Sequence, residues 1–265
     1  MKRNLTALLF ILVSLMSASC SKWPFSNGNP VSETRSVDPN FRIIFLYNNV
    51  NVKLMHSDHP RLELTCPENL IDNIITKTSG DTLFVKNENK HNWMRSYDYD
   101  INLTIYYDSI HEISYASIGD LSSAEGDTLV GVSVRRTDTV IVFDEWNSSY
   151  IQTFKLYINE GSGNIDLTLR CNEFKNRFGN GTSCVTLRGR TDYAEYNSRS
   201  YGTIHAEELK ADFVRVQSQS TNDIYINASN IIRVWLYSIG NVYYKGSASL
   251  SVEACNGTGR PIRLE

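Results

Sequence analysis

Apolar and polar residues alternate over short stretches along most of the chain beyond residue 40, the period-two signature of strands with one buried face. Between Glu160 and Arg263 a longer period is laid over it. Gly163-Asn164-Ile165-Asp166-Leu167, Ser183-Cys184-Val185-Thr186-Leu187, Gly202-Thr203-Ile204-His205-Ala206, Asn222-Asp223-Ile224-Tyr225-Ile226 and Gly240-Asn241-Val242-Tyr243-Tyr244 share one pattern, and a further copy begins at Gly259. Each opens on a turn residue and continues polar, apolar, variable, apolar. Glycine or asparagine at the opening position is expected where φ is positive. A second strand precedes each turn. Phe174, Ala194, Val214, Val234 and Val252 are its expected inward positions, and Lys175, Glu195, Arg215, Trp235 and Glu253 its outward ones. Asn176 breaks the inward rule and is expected at a bend or in an internal hydrogen-bonded ladder.

Two strands recurring every ~19 residues cannot bury their own apolar face and must stack on copies of themselves. The expected fold is therefore all-β, a right-handed parallel β-helix-like solenoid with ~19-residue rungs; a sandwich of antiparallel hairpins is the alternative. The N-terminal half is less regular. Strands are expected over 41–47, 50–55, 61–65, 82–86 and 100–107, with one short helix between Pro67 and Thr76. Ile118-Gly119-Asp120 is an early copy of the turn, and an insertion is expected over 130–149. This half reads as the capping end of the same stack, or else as a separate small domain.

The phased turns Ile118-Gly119-Asp120, Gly161-Ser162-Gly163-Asn164-Ile165 and Ile239-Gly240-Asn241-Val242 resemble those of the putative auto-transporter adhesin, head GIN domain family. Phe41-Arg42-Ile43-Ile44, Asn49-Val50-Asn51-Val52 and Gly80-Asp81-Thr82-Leu83-Phe84-Val85 extend the likeness over residues 37–263. The resemblance implies an envelope protein of Bacteroidetes-type bacteria with a β-helix-like fold and no catalytic residues to carry over. Ser200-Tyr201-Gly202 keeps only the last glycine of the family's turn, and Ser220-Thr221-Asn222 keeps none.

The first residues change the picture from fold to address. Lys2 and Arg3 precede an apolar run from Leu5 to Met16, too short to span a bilayer, and Ser17-Ala18-Ser19 leads into Cys20. This resembles a lipoprotein signal: residues 1–19 are the signal peptide and Cys20 the lipidation site. An ordinary secretory signal cleaved nearby is the alternative. Residues 20–36 read as a flexible tether and 37–265 as the solenoid domain. Localisation is expected at the cell envelope, anchored by lipid to the outer membrane, facing either side; the acidic cluster associated with surface export does not follow Cys20.

Composition and charge mainly exclude. A net charge of −3 without a basic block gives no support for a nucleic-acid partner. Cys66, Cys171, Cys184 and Cys255 permit disulfides or buried thiols, and no spacing among them suggests zinc. His56 and His59 flank Asp58 in a turn, which reads as a solvated loop and, as the alternative, a surface metal site; no cofactor or metal is expected. The outward column Asp166, Thr186, His205, Tyr225, Tyr243 holds one acid, so it lacks the paired carboxylates of a glycosidase; Glu207, Glu208 and Asp212 read as solvated. No enzyme is expected, a β-helix carbohydrate-active enzyme being the remaining catalytic alternative. His205, Tyr225 and Tyr243, with Trp235 and Tyr237 on the adjoining strand, form the expected binding face for a glycan or a protein. The alternatives are cross-rung stacking that merely stabilises the fold, and a structural or sensing-associated periplasmic lipoprotein. Asp81-Thr82-Leu83, Asp108-Ser109-Ile110, Asp127-Thr128-Leu129 and Asp138-Thr139-Val140 match a short O-glycosylation pattern, and equally an Asp-Thr/Ser turn before a strand.

Overall fold

The computed structural model describes residues 26–90, 99–135 and 150–265. Residues 1–19, expected as a signal peptide, Cys20, His91, Asp138-Thr139-Val140 and most of the expected insertion lie outside the described residues. The fold is all-β: among the described residues nineteen strands join into one hydrogen-bonded sheet, and the helical element is a 3₁₀ turn, Ile71–Asn73.

The N-terminal strands are β1 (Pro30–Arg35), β2 (Ile43–Asn48), β3 (Asn51–His56), β4 (Arg61–Pro67), β5 (Ile74–Ser79), β6 (Thr82–Asn87), β7 (Asn102–Tyr107), β8 (Glu112–Ser117) and β9 (Leu121–Ser123). β10 (Leu129–Val130) and β11 (Val132–Arg135) follow, then the long strands β12 (Tyr150–Gly161), β13 (Ile165–Phe178), β14 (Val185–Ser198), β15 (Ile204–Ser218) and β16 (Ile224–Leu236). β17 (Val242–Lys245), β18 (Ser249–Cys255) and β19 (Pro261–Arg263) end the chain. The two halves of β13 to β16 belong to two rows: the first half of β13 pairs with β9 and its second with β12, and the first half of β16 pairs with β17 and its second with β18. One row runs β1, β4, β7, β3, β9, then the first halves of β13 to β16, then β17 and β19. The other runs β5, β6, β2, β8, β12, then the second halves, then β18. From β12 onward these two rows pair in parallel. Phe154 faces Phe174, Phe174 faces Ala194 and Ala194 faces Val214, a step of 20 residues repeated in the Asn176 Nδ2 bond to Leu156 O.

The core lies between the rows. Ile165, Val185, Ile204, Ile224 and Val242 form one fully buried column, and Phe174, Ala194, Val214 and Ile232 another. Volume is traded between rungs. Phe154 and Phe174 stack at 6.4 Å, and Ala194 follows them so that Tyr196, in the next column, can meet Phe174 edge-on at 5.9 Å. Asn176 is buried beside Tyr196 and donates to Leu156 O, as expected of an internal ladder.

Three expectations are corrected. First, the turn glycines Gly163, Gly202, Gly240 and Gly259 are not among the positive-φ residues, and neither is Asn222. The role of the four glycines is close approach: a Cβ on each would lie 2.1–2.2 Å from a carbonyl oxygen of the rung below. Second, the register slips by two residues at β16, where Val214 pairs with Ile232 and Gln217 with Trp235. β15 carries three extra residues, 207–209, and β16 regains one between Ala228 and Ile231, a net slip of two. The slip preserves in/out parity, so Val234 is still buried, but Val252 is 46% exposed at the outer edge of β18. Third, the flexible tether expected over 20–36 gives way at its end to β1, an edge strand antiparallel to β4 that opens on Pro30.

The turns are held by side chains that reach their neighbours. Ser117, Ser200 and Ser220 each accept the amide two residues on, from Gly119, Gly202 and Asn222 at 3.1, 3.3 and 3.0 Å. Between rungs, Asn51 Oδ1 accepts Asp120 N, Asp120 Oδ1 accepts Asn164 N, Asp223 Oδ1 accepts Asn241 N and Asn241 Oδ1 accepts Arg260 N, all at 2.8–3.0 Å. Asn51, Asp120, Asp223 and Asn241 are thus rung-to-rung ties.

Candidate functional site

Parallel pairing places residues of equal phase side by side, so outward positions of the first row form columns across strands. Asp166, Thr186, His205, Tyr225 and Tyr243 do so in register. His205 and Tyr225 stack with ring centroids 4.8 Å apart and planes 11° apart, and Tyr225 and Tyr243 with 4.8 Å and 10°. The spacing is that of neighbouring strands. Each ring is therefore covered on a face by its neighbour, and the column meets solvent through its edges. Burial, with the Asp223 carboxylate second, raises the Tyr225 phenol above its ordinary value, so it stays a neutral donor at physiological pH.

The ends of the column carry charge. Arg188 pairs with Asp166. His205 Nδ1 lies 3.3 Å from Glu207 Oε1, and Glu207 Oε2 is buried without a hydrogen-bond partner. Glu207 is thus not simply solvated, as its polar surroundings in sequence imply; the extra residues of β15 turn it back over the column. Asn227 Nδ2 donates to Glu207 O at 3.1 Å and holds that bend.

Trp235 and Tyr237 sit elsewhere. Trp235 belongs to the second half of β16, beyond the bend at Ser229-Asn230, and its indole lies under Arg215, whose guanidinium carbon is 4.8 Å from the ring centroid. Tyr237 is 38% exposed in the turn that follows. The five expected site residues thus form a stack of three on one row and a Trp–Arg pair plus a tyrosine on the other. The 20-residue phase already sets Arg215 next to Trp235 among the outward positions; with the β16 slip Trp235 pairs with Gln217, and Arg215 reaches the indole diagonally.

The thiols are separate. Cys66 and Cys171 are buried, Cys184 is half-buried, Cys255 is exposed, and all four are free. Burial pushes Cys66 up to about 11 and Cys171 up to about 12, which makes both poor nucleophiles. The glycosylation-like motifs behave as turns: Thr82 Oγ1 donates to Asp81 at 3.1 Å, Ser109 Oγ to Asp108 at 3.2 Å, and Asp127 accepts Thr128 N at 2.8 Å. His56 and Asp58 meet Asp108 across the β3–β7 pair, with one ligand atom of each within 4.8 Å of the others.

Known structures share the fold. A putative adhesin from Bacteroides fragilis superposes with a TM-score of 0.74 at 21% identity, over 90% of this chain and 99% of that one. A putative adhesin from Parabacteroides distasonis gives 0.56 at 13% identity, over 90% and 99%. A putative lipid binding protein from the same species gives 0.56 at 18%, over 90% and 98%. No curated protein matches the chain. The family described as putative auto-transporter adhesin, head GIN domain, matches residues 40–248. With most of the described sheet inside that match, the chain belongs to the head GIN domain family.

Proposed function

We propose that this chain is a non-catalytic binding module of the bacterial cell envelope, and that its ligand, a glycan or a protein, docks along the column His205, Tyr225 and Tyr243. The observation that carries the reading is the stack itself. Three rings in one outward column present two phenol hydroxyls and an imidazole edge at 4.8 Å intervals. An extended ligand laid across the strands meets repeated hydrogen-bonding groups on an apolar base. Since the rings cover one another's faces, recognition is edge-on, through hydroxyls, and flat stacking of sugars is left to the column's ends. Membership of a family named for adhesins supports binding over catalysis. The one acid in the column, Asp166, is engaged by Arg188. A lipid ligand, as in the description of one fold neighbour, would have to lie outside, because the inward columns are filled by side chains with almost no exposure.

In this reading residues 1–19 are a signal peptide, Cys20 carries the lipid, and a tether runs to β1. The parallel pairing at steps of 17–20 residues supports a solenoid, right-handed as parallel crossover connections are as a rule, with β1 to β9 as its capping end. The anchor holds the protein at the outer membrane, on the surface or in the periplasm.

The experiment is binding of the mature protein to glycan and host-protein arrays, beside Tyr225→Ser/Tyr243→Ser. A ligand held by the native protein and lost at least about tenfold by the double variant, with an unchanged circular dichroism spectrum, is the expected result; one tenfold step is 1.4 kcal/mol. Native-like binding by the variant, or no binding by either protein, would overturn the reading. Protease shaving of intact and lysed cells tells the two sides of the membrane apart.

A further inference from the structure

The side chains of His56, Asp58 and Asp108 converge where β3 and β7 end. His56 pairs with Tyr107 across the two strands, and Ser57 N donates to Tyr107 O at 2.8 Å, so the turn after β3 and the turn after β7 leave the sheet side by side. One donor atom from each of the three residues lies within 4.8 Å of the other two. None of them belongs to the column of His205, Tyr225 and Tyr243.

The surroundings orient these groups. The His56 ring sits edge-on against Tyr107, with centroids 5.8 Å and planes 79° apart. The Ser57 hydroxyl accepts His59 N at 3.1 Å and closes the turn that presents Asp58. Ser109 Oγ donates to Asp108 Oδ2 at 3.2 Å, and Arg42 Nη2 lies 3.7 Å from that oxygen, which leaves Oδ1 for another partner. A third carboxylate, Asp127, accepts His56 N through Oδ2 at 2.5 Å and adds negative potential from outside the trio.

We propose that His56, Asp58 and Asp108 bind one divalent transition-metal ion of the zinc class. The donor set decides the class. An imidazole nitrogen is a poor ligand for Ca2+ and Mg2+, which take oxygens, while two carboxylates are too hard for Cu(I). Bonds of about 2.0–2.2 Å put ligand atoms on one ion at most ~4 Å apart. The three exposed side chains hold their ligand atoms within 4.8 Å of one another, close to that spacing. Water completes the coordination, as in sites with three protein ligands and an open position. Binding the ion ties the turn after β3 to the turn after β7.

The test is calorimetric titration of the full, tag-free chain in detergent micelles at pH 7 with Zn2+ alone, and in parallel with Ca2+ alone. One Zn2+ site is expected, with no comparable Ca2+ site. His56→Ala and Asp58→Asn each weaken it by at least about tenfold, the lower bound seen even for outer-shell partners. His59→Ala, next in the same turn but outside the trio, leaves it unchanged. All three variants alter exposed side chains, and circular dichroism checks that each is folded. Absence of a Zn2+ heat in the native protein overturns the proposal. So does equal binding of Ca2+, or a Zn2+ site that survives both His56→Ala and Asp58→Asn.

Discussion

A Cβ on Gly202 would sit 2.2 Å from the carbonyl oxygen of Ser183 and 2.5 Å from Phe178 Cζ. Backbone cannot retreat there, because Ser183 and Ser200 are both fully inside the turn column. Gly202→Ala is therefore expected to destabilise by about 2 kcal/mol or more, as overpacking does. Gly80 is the contrast. Its φ is +61°, but a Cβ there meets nothing within 4 Å, so Gly80→Ala costs only the conformational strain, about 1 kcal/mol. Urea denaturation of both variants checks the order; equal losses would remove the close-approach argument. The sequence marks these glycines by their phase but misstates their reason, since pattern alone does not separate a left-handed residue from one pressed against a neighbouring rung. Asn222 shows the difference, standing at the glycine phase without a positive φ.

Among the elements, β1 and the turn Ile71–Asn73 depend on one side chain. Arg35, at the end of β1, donates to Ile71 O at 3.0 Å, to Thr76 Oγ1 at 3.2 Å and to Ile74 O. It thereby joins the outermost strand of the first row to β5, the outermost strand of the second. A charged group's hydrogen bonding to partly buried acceptors is worth about 1.5–3 kcal/mol in net terms. Arg35→Ala is expected to cost about 2–3 kcal/mol in urea denaturation and to speed hydrogen exchange in β1 and β5 while β14 and β15 keep their protection. Uniform exchange across all four strands would show that Arg35 does not act as a local clasp. Most strands were legible from alternation: β2, β3, β4, β6 and β7 fall within a residue or two of where the pattern puts them. β1 was not, because Pro30 and the polar Ser32-Glu33-Thr34 read as tether, and a capping edge strand needs only one apolar face position. The β16 slip was also hidden, since moving a strand by two residues leaves its hydrophobic pattern intact.

At the scale of the molecule, the core holds several protons more tightly than the unfolded chain does. Burial raises Cys66 from 9.0 to about 11, Cys171 from 9.0 to about 12 and Tyr115 from 10.0 to about 12, and pushes Tyr107, Tyr193 and Tyr196 upward too. A folded-state pKa raised above the unfolded one gives stability that is complete below the unfolded value and lost as pH climbs through the folded one. The melting temperature is thus expected to hold up to about pH 9 and to fall steadily from there to about pH 12, with phenolate absorbance of the buried tyrosines appearing only as the fold is lost. Early phenolate absorbance from all the tyrosines at ordinary pKa, with the fold intact, would contradict the burial on which this rests.

Phase along one chain carries the all-β class, the buried face of most strands, the outward column of His205, Tyr225 and Tyr243, and the family. Tertiary structure alone decided which phases meet. It placed Ile232 opposite Val214 and Trp235 opposite Gln217, and split the five expected site residues between two rows. It also turned Glu207 onto His205 and brought Asp108 to His56 across β3 and β7. The physical reason is common to all of these. Periodicity specifies which face of a strand is buried, whereas a bulge, a close glycine contact or the pairing of strands distant in sequence sets the register between faces.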